Sequence, residues 1–249
     1  MAEKVIVTTM HRQVKARIIS TVLALATGGL FTGVIAKAQD GQPDGAAILQ
    51  RLRDNEMQQH RTLAGELRNG SKVSPFQLAL NGGTILYQFT TPPPYTLVVH
   101  LGKNSSQLDE VTLDGKTHVN GTDFGTLVRG SDISFEDVAM RFLYWPEAKV
   151  LGEETKTLRK CWKVQVTPPK DVKTVYASVL VWIDEESGAM MEAQAYDAGG
   201  KLATAFKLIE PQMIGGVWLP KKIRIQRMKD GEPMDGSPTY LIIDKVLDK

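Results

Sequence analysis

Residues 174–201 read TVYASVLVWIDEESGAMMEAQAYDAGGK. Val175 to Ile183 is almost wholly β-branched, aromatic or aliphatic, a composition that suits a pleated surface better than a helix. Asp184-Glu185-Glu186-Ser187-Gly188 supplies turn residues, with Gly188 free to adopt the left-handed conformation that closes a hairpin. Pairing Asp184 with Ala189 sets Trp182 opposite Met191, Leu180 opposite Ala193 and Ser178 opposite Ala195. That register gathers Tyr176, Leu180, Trp182, Met191, Ala193 and Ala195 on one face. Val175, Val179, Val181, Ile183, Glu192 and Gln194 take the other, and a slip of one residue would exchange the two. Both faces of the first strand are apolar. Such a strand calls for cover on two sides, or for cover on one and an apolar cavity on the other.

Working outward, the same period of two recurs along most of the chain. Leu63, Gly65 and Leu67 alternate up to an Asn69-Gly70 turn. Phe76, Leu78 and Leu80 lead to Asn81-Gly82-Gly83, and Ile85, Tyr87 and Phe89 to the Pro92-Pro93-Pro94 break. Strands are expected at Thr96 to Leu101 and Leu108 to Leu113, and around Cys161. Leu202 to Leu208, Val217 to Met228 and Thr239 to Val246 complete the set. Two segments change to helical spacing. Asp44 can cap a helix through Met57, and Ser134 with Asp137 forms a capping box before Phe135, Val138, Ala139, Phe142 and Leu143, stopped by Pro146. The expectation is mainly β: about eleven antiparallel strands in consecutive hairpins, with two substantial helices as cover.

The chain is 42% hydrophobic and 23% charged, the balance of an ordinary globular protein. Its formal charge of +2 resides in the first segment. Residues 1–38 hold five basic side chains and one acidic, so the remainder carries 25 basic against 27 acidic, a net of −2. That balance supplies no electrostatic attraction to nucleic acid. Arg12, Lys15 and Arg17 precede an uncharged run from Ile18 to Ile35, and Ala36-Lys37-Ala38 fits a small-x-small cleavage site. Residues 1–38 therefore read as a cleaved signal peptide, with Met10 a second candidate start, and 39–249 as one exported, periplasmic domain. An uncleaved anchor is the competing reading, although the run is near the minimum length for spanning.

Catalytic patterns are sparse. The histidines after the signal segment, His60, His100 and His118, fall on separate strands, and no Gly-x-Ser-x-Gly elbow, Walker loop or dinucleotide fingerprint is present. Asp109-Glu110 and Glu185-Glu186 are adjacent, so on a strand each pair points to opposite faces and cannot share an acid–base task. Cys161 is the only cysteine, which excludes an internal disulfide, and no neighbouring His or second Cys activates it. Lys221 to Lys229 is basic, with its charges mainly on the solvent side of a strand. The expectation is no catalytic residue, metal or cofactor.

Gly130-Ser131-Asp132-Ile133-Ser134-Phe135-Glu136-Asp137 resembles the G-[ST]-D-[FI]-S-[YF]-E-D signature of the outer-membrane lipoprotein-sorting proteins, the LolA-like superfamily. Cys161-Trp162-Lys163-Val164, Val181-Trp182-Ile183-Asp184, Tyr196-Asp197 with Gly200-Lys201, and Gly216-Val217-Trp218-Leu219-Pro220 come after it in that family's order. The resemblance implies an unclosed antiparallel β-barrel with an apolar concave face and helices across it as a lid. It also implies a monomeric carrier of lipoprotein acyl chains or other lipids, loaded at an inner-membrane release complex and unloaded at an outer-membrane acceptor. A sensor of envelope stress with the same fold, and a hydrolase, are the competing classes. Trp162, Val164, Leu180, Trp182, Met191, Ala193, Phe206, Phe135 and Phe142 are the candidate cavity residues.

Overall fold

The computed structural model describes residues 42–234 and 238–247; the expected signal peptide and the start at Gln39 lie outside them. Asp44 accepts from the Ala46 amide and opens α1 (Gly45–Met57), whose Leu49 and Leu52 are buried. Strands β1 (His60–Asn69), β2 (Lys72–Asn81), β3 (Thr84–Phe89), β4 (Tyr95–Leu101), β5 (Ser106–Thr112) and β6 (Gly115–His118) succeed it as a meander. A strap, residues 119–146, carries α2 (Phe135–Ala139) between short 3₁₀ turns. Then come β7 (Glu147–Lys156), β8 (Arg159–Thr167), β9 (Ser178–Asp184) and β10 (Met190–Tyr196). β11 (Leu202–Ile214), β12 (Val217–Lys229), the two-residue β13 (Glu232–Pro233) and β14 (Thr239–Val246) end the described chain.

These fourteen strands form a single sheet in the order β6-β5-β4-β3-β2-β1-β14-β12-β11-β10-β9-β8-β7, with β13 beside β12. Every pairing is antiparallel, and the sheet is not closed into a barrel. The strap runs from the last residue of one edge, β6, to the first of the other, β7. It spans the concave face because both halves of the sheet take residues from it. Val119, Phe124, Val128, Ile133, Phe135 and Ala139 pack with β1–β5, β12 and β14. Phe142, Leu143 and Trp145 pack with β7–β10 and α1.

Three strands beyond the eleven expected are β6, β7 and β13. β7 is an edge, so only Val150 is fully buried, and its charged residues mask the period of two. One expected helix is much shorter than its apolar spacing suggested. Met140 turns left-handed (φ 48°) and ends α2 after five residues, and Arg141–Tyr144 continues as a 3₁₀ turn. The substantial helices therefore number one among the described residues.

Candidate functional site

Under the strap lies an apolar cavity of about 110 Å³. Its walls are Leu67, Tyr87, Phe89 and Leu97 from β1, β3 and β4, and Met190, Phe206, Ile223, Ile225 and Leu241 from β10, β11, β12 and β14. The strap closes it with Val128, Ile133, Asp137, Val138, Met140 and Phe142. Alternation along each strand builds the wall. Phe206 pairs with Ile225, Ile223 with Leu241, and Leu241 with Leu67, so one inward row crosses four strands.

Asp137 is the one ionisable carboxyl in that lining. Its carboxylate is fully engaged at the capping box, accepting from the Ser134 amide (2.8 Å) and hydroxyl (2.6 Å) and from the Tyr176 hydroxyl (2.7 Å). Tyr176 also lies 3.2 Å from the Thr204 hydroxyl, which ties the strap to β11. Burial raises Asp137 above the usual carboxylate range, against the opposing hydrogen bonds from Ser134 and Tyr176. Beside it the fully buried Glu136 accepts from Arg141 Nη1 at 2.9 Å. Burial pushes Glu136 up to about 7, with Arg141 opposing and Asp137 reinforcing the rise. The Arg141 guanidinium lies over Phe124 at 4.0 Å and donates to the Lys173 carbonyl.

The strap is fastened at its other end as well. Asp132 accepts from the Thr239 amide (2.9 Å) and hydroxyl (3.0 Å) on β14. Arg129, itself left-handed (φ 55°), stacks over Tyr95 at 4.6 Å and donates to the Thr91 and Pro93 carbonyls. The sequence signature around Asp137 had marked this segment, but its partners Tyr176 and Thr239 lie 39 and 107 residues away in pairings that no local pattern shows.

The central hairpin corrects part of the expected site. Asp184 does bond to Ala189, but a bulge between Met190 and Glu192 shifts the pairing of the rest of β10. Trp182 pairs with Glu192, Leu180 with Gln194, and Val181 with Ala193. The inward row is therefore Val164, Val181, Ala193 and Phe206, with Trp162 beside Ile183. Leu180, Trp182 and Met191 lie on the opposite face, packed with Cys161 and Leu208, and are not cavity residues. Trp182 is only 2% exposed there, under Lys156 (4.1 Å from its ring) and Lys163 (5.1 Å), and it donates to Glu154 at 2.7 Å. Both faces of β9 are thus covered, one by core and one by lysine stems.

Of the remaining candidates, Phe142 and Phe206 line the cavity. Phe135 is packed into the core of the first half, while Val164, Ala193 and Trp162 pack in the second. The candidate set lacked the rest of the lining, among it Leu67, Tyr87, Phe89, Leu97, Ile223, Ile225 and Leu241, although the alternation of β3 displays Tyr87 and Phe89. His100 and His118, expected to be scattered, meet at Asp109 (2.7 and 2.8 Å), which Lys116 also contacts. Burial alone would raise Asp109, but hydrogen bonds from Lys116, His118 and His100 hold it well below the usual carboxylate range. Among the described residues no group of three or more His, Cys, Asp or Glu side chains is placed to hold a metal ion. Cys161 is buried, and burial pushes its thiol up to about 11.

Solved structures share this fold, at low sequence identity. A putative outer membrane lipoprotein-sorting protein domain from Vibrio parahaemolyticus is similar at 14% identity and TM-score 0.64, over 81% of this chain and 91% of that one. A DUF1329 family protein from Desulfovibrio piger matches at 17% identity and TM-score 0.62, over 81% and 90%. A LolA superfamily protein from Nitrosomonas europaea matches at 14% and 0.59, over 81% and 92%. The chain belongs to the family whose model, described as "Uncharacterized protein"-like, matches residues 104–246, more than half its length. No curated protein matches it.

Proposed function

We propose that the protein is a non-enzymatic envelope or periplasmic binder of lipid, and that acyl chains of lipoproteins or free lipids are its cargo. The observation that carries this reading is the strapped hollow, whose single carboxyl has its hydrogen bonds satisfied and so leaves an apolar lining. Each methylene buried there is worth about 0.8 kcal/mol, so a chain of about twelve gains roughly 10 kcal/mol. The cavity of about 110 Å³ is smaller than the ~150 Å³ engineered cavity that holds benzene. An acyl chain therefore enters only as the strap moves outward, and loading and opening are one event.

Two features favour a carrier over a hydrolase: no Ser, Thr, Cys, Lys or His is in the lining, and its carboxyl is held by three hydrogen bonds. Native mass spectrometry of protein purified without detergent tests the reading. Wild type should carry lipid, and Phe206→Asp, which sets a carboxylate on the cavity wall, should emerge without it. Bare wild-type protein that also fails to bind added fatty acid or diacylglycerol would refute the proposal.

A further inference from the structure

The two longest strands, β11 and β12, carry a feature that the cavity does not use. Their distal part lies beyond two register shifts, between Leu208 and Glu210 and between Glu210 and Pro211. It closes at Gly215-Gly216, both at positive φ (55° and 79°) as a tight two-residue turn requires. The register pairs Met213 with Trp218 and Pro211 with Pro220 on one face. Ile214 and Leu219 pack against the core on the other side. Met213 and Trp218 are 57% and 54% exposed, and Ile209 at the shift is 41% exposed. Exposed Leu113 and Leu158 stand singly on turns, which is ordinary; a strip of Ile, Pro, Met and Trp across paired strands is not.

Charge says what covers this strip. Residues 207–224 hold Lys207, Lys221, Lys222 and Arg224 against Glu210 alone, a local net of +3, and the Arg61 guanidinium stands beside Gly215. The chain beyond residue 38 is net −2, so the hairpin is a positive pole on a negative molecule. Trp near a tip that Arg61 adjoins, with Lys221 and Lys222 three and four residues along the strand, is the chemistry of a bilayer interface, with the indole at headgroup depth and cations on anionic phosphates.

We propose that the tip of the β11–β12 hairpin docks on an anionic lipid bilayer through Met213 and Trp218. At about 3.3 Å per residue, cavity-lining Ile223 lies within roughly 17 Å of Trp218 along the same strand, so docking brings the hollow close to the headgroups. The docking surface stands on its own observations, and it can fail while lipid binding in the cavity survives.

The test is sedimentation of the full chain with vesicles of phosphatidylcholine and phosphatidylglycerol (3:1), beside vesicles of phosphatidylcholine alone. Variants are Met213→Ser/Trp218→Ser and, on the β5–β6 turn, Leu113→Ser. Both change exposed side chains, and matching circular-dichroism melts confirm that they fold. Wild type and Leu113→Ser should bind the anionic vesicles equally, and the double variant at least tenfold more weakly. Wild-type tryptophan emission should shift to the blue on binding, because the other three tryptophans are far less exposed. Equal binding by the double variant, no wild-type binding, or indifference to phosphatidylglycerol would overturn the proposal. So would a wild-type dimer that the double variant dissociates, since the strip would then be covered by a second copy.

Discussion

Replacing Tyr176 by Phe removes one oxygen and keeps the ring. Tyr176 is 5% exposed and packs in the core of the second half, so the variant opens no new cavity around the ring. What it removes is the 2.7 Å bond to Asp137 Oδ1 and the 3.2 Å contact with Thr204. A buried carboxyl left short of a donor costs about 1.5–3 kcal/mol. At roughly 2–4 °C per kcal/mol for a domain of this size, the melting midpoint should fall by about 3–12 °C. The loss should concentrate in the strap, because the same carboxyl holds the α2 cap through Ser134. Amide exchange should therefore quicken across residues 119–146 more than in β1–β5. Combining Tyr176→Phe with Asp137→Asn should give a coupling of about 1 kcal/mol or more. If the strap gates the cavity, Tyr176→Phe should also exchange bound fatty acid faster. A midpoint within about 1 °C of wild type, with strap exchange unchanged, would refute the view that this bond fastens the strap.

Glu136, pushed up to about 7 by burial, binds its proton more tightly folded than unfolded. Its contribution is therefore most favourable below the unfolded value near 4.5 and is lost as pH rises through about 7; Asp137, also raised, acts in the same sense. Denaturant midpoints measured from pH 5 to 8 should fall, by at most about 3 kcal/mol in stability, and Glu136→Gln should flatten that slope. Trp182→Ala should cost about 3–5 kcal/mol in a urea melt yet leave fatty-acid affinity unchanged, because Trp182 faces away from the cavity. Loss of affinity at unchanged stability would restore the expected register.

How much of this was legible in the sequence varies with the range of the forces involved. The Asp44 cap, the Asn69-Gly70 and Asn81-Gly82-Gly83 turns and the Ser134–Asp137 capping box involve residues within a few positions of each other, and all appear where expected. Strands buried on one face announced themselves by alternation. β7 did not, because an edge strand buries little, and α2 was overextended because apolar spacing carries no mark of the left-handed turn at Met140.

The sequence by itself determined the fold class, the order of most strands and the motifs that place the chain beside the lipoprotein-sorting proteins. Those arise from periodicity and turn chemistry, which act through neighbouring residues. Only the tertiary structure decided which face of the central hairpin looks inward. One bulge near Met191 costs little locally, yet it moves Leu180 and Trp182 to the outer face. The cavity was equally out of reach. Its walls come from seven strands and a strap spanning residues 67 to 241, and the volume left between them depends on how side chains distant in sequence fail to fill the space.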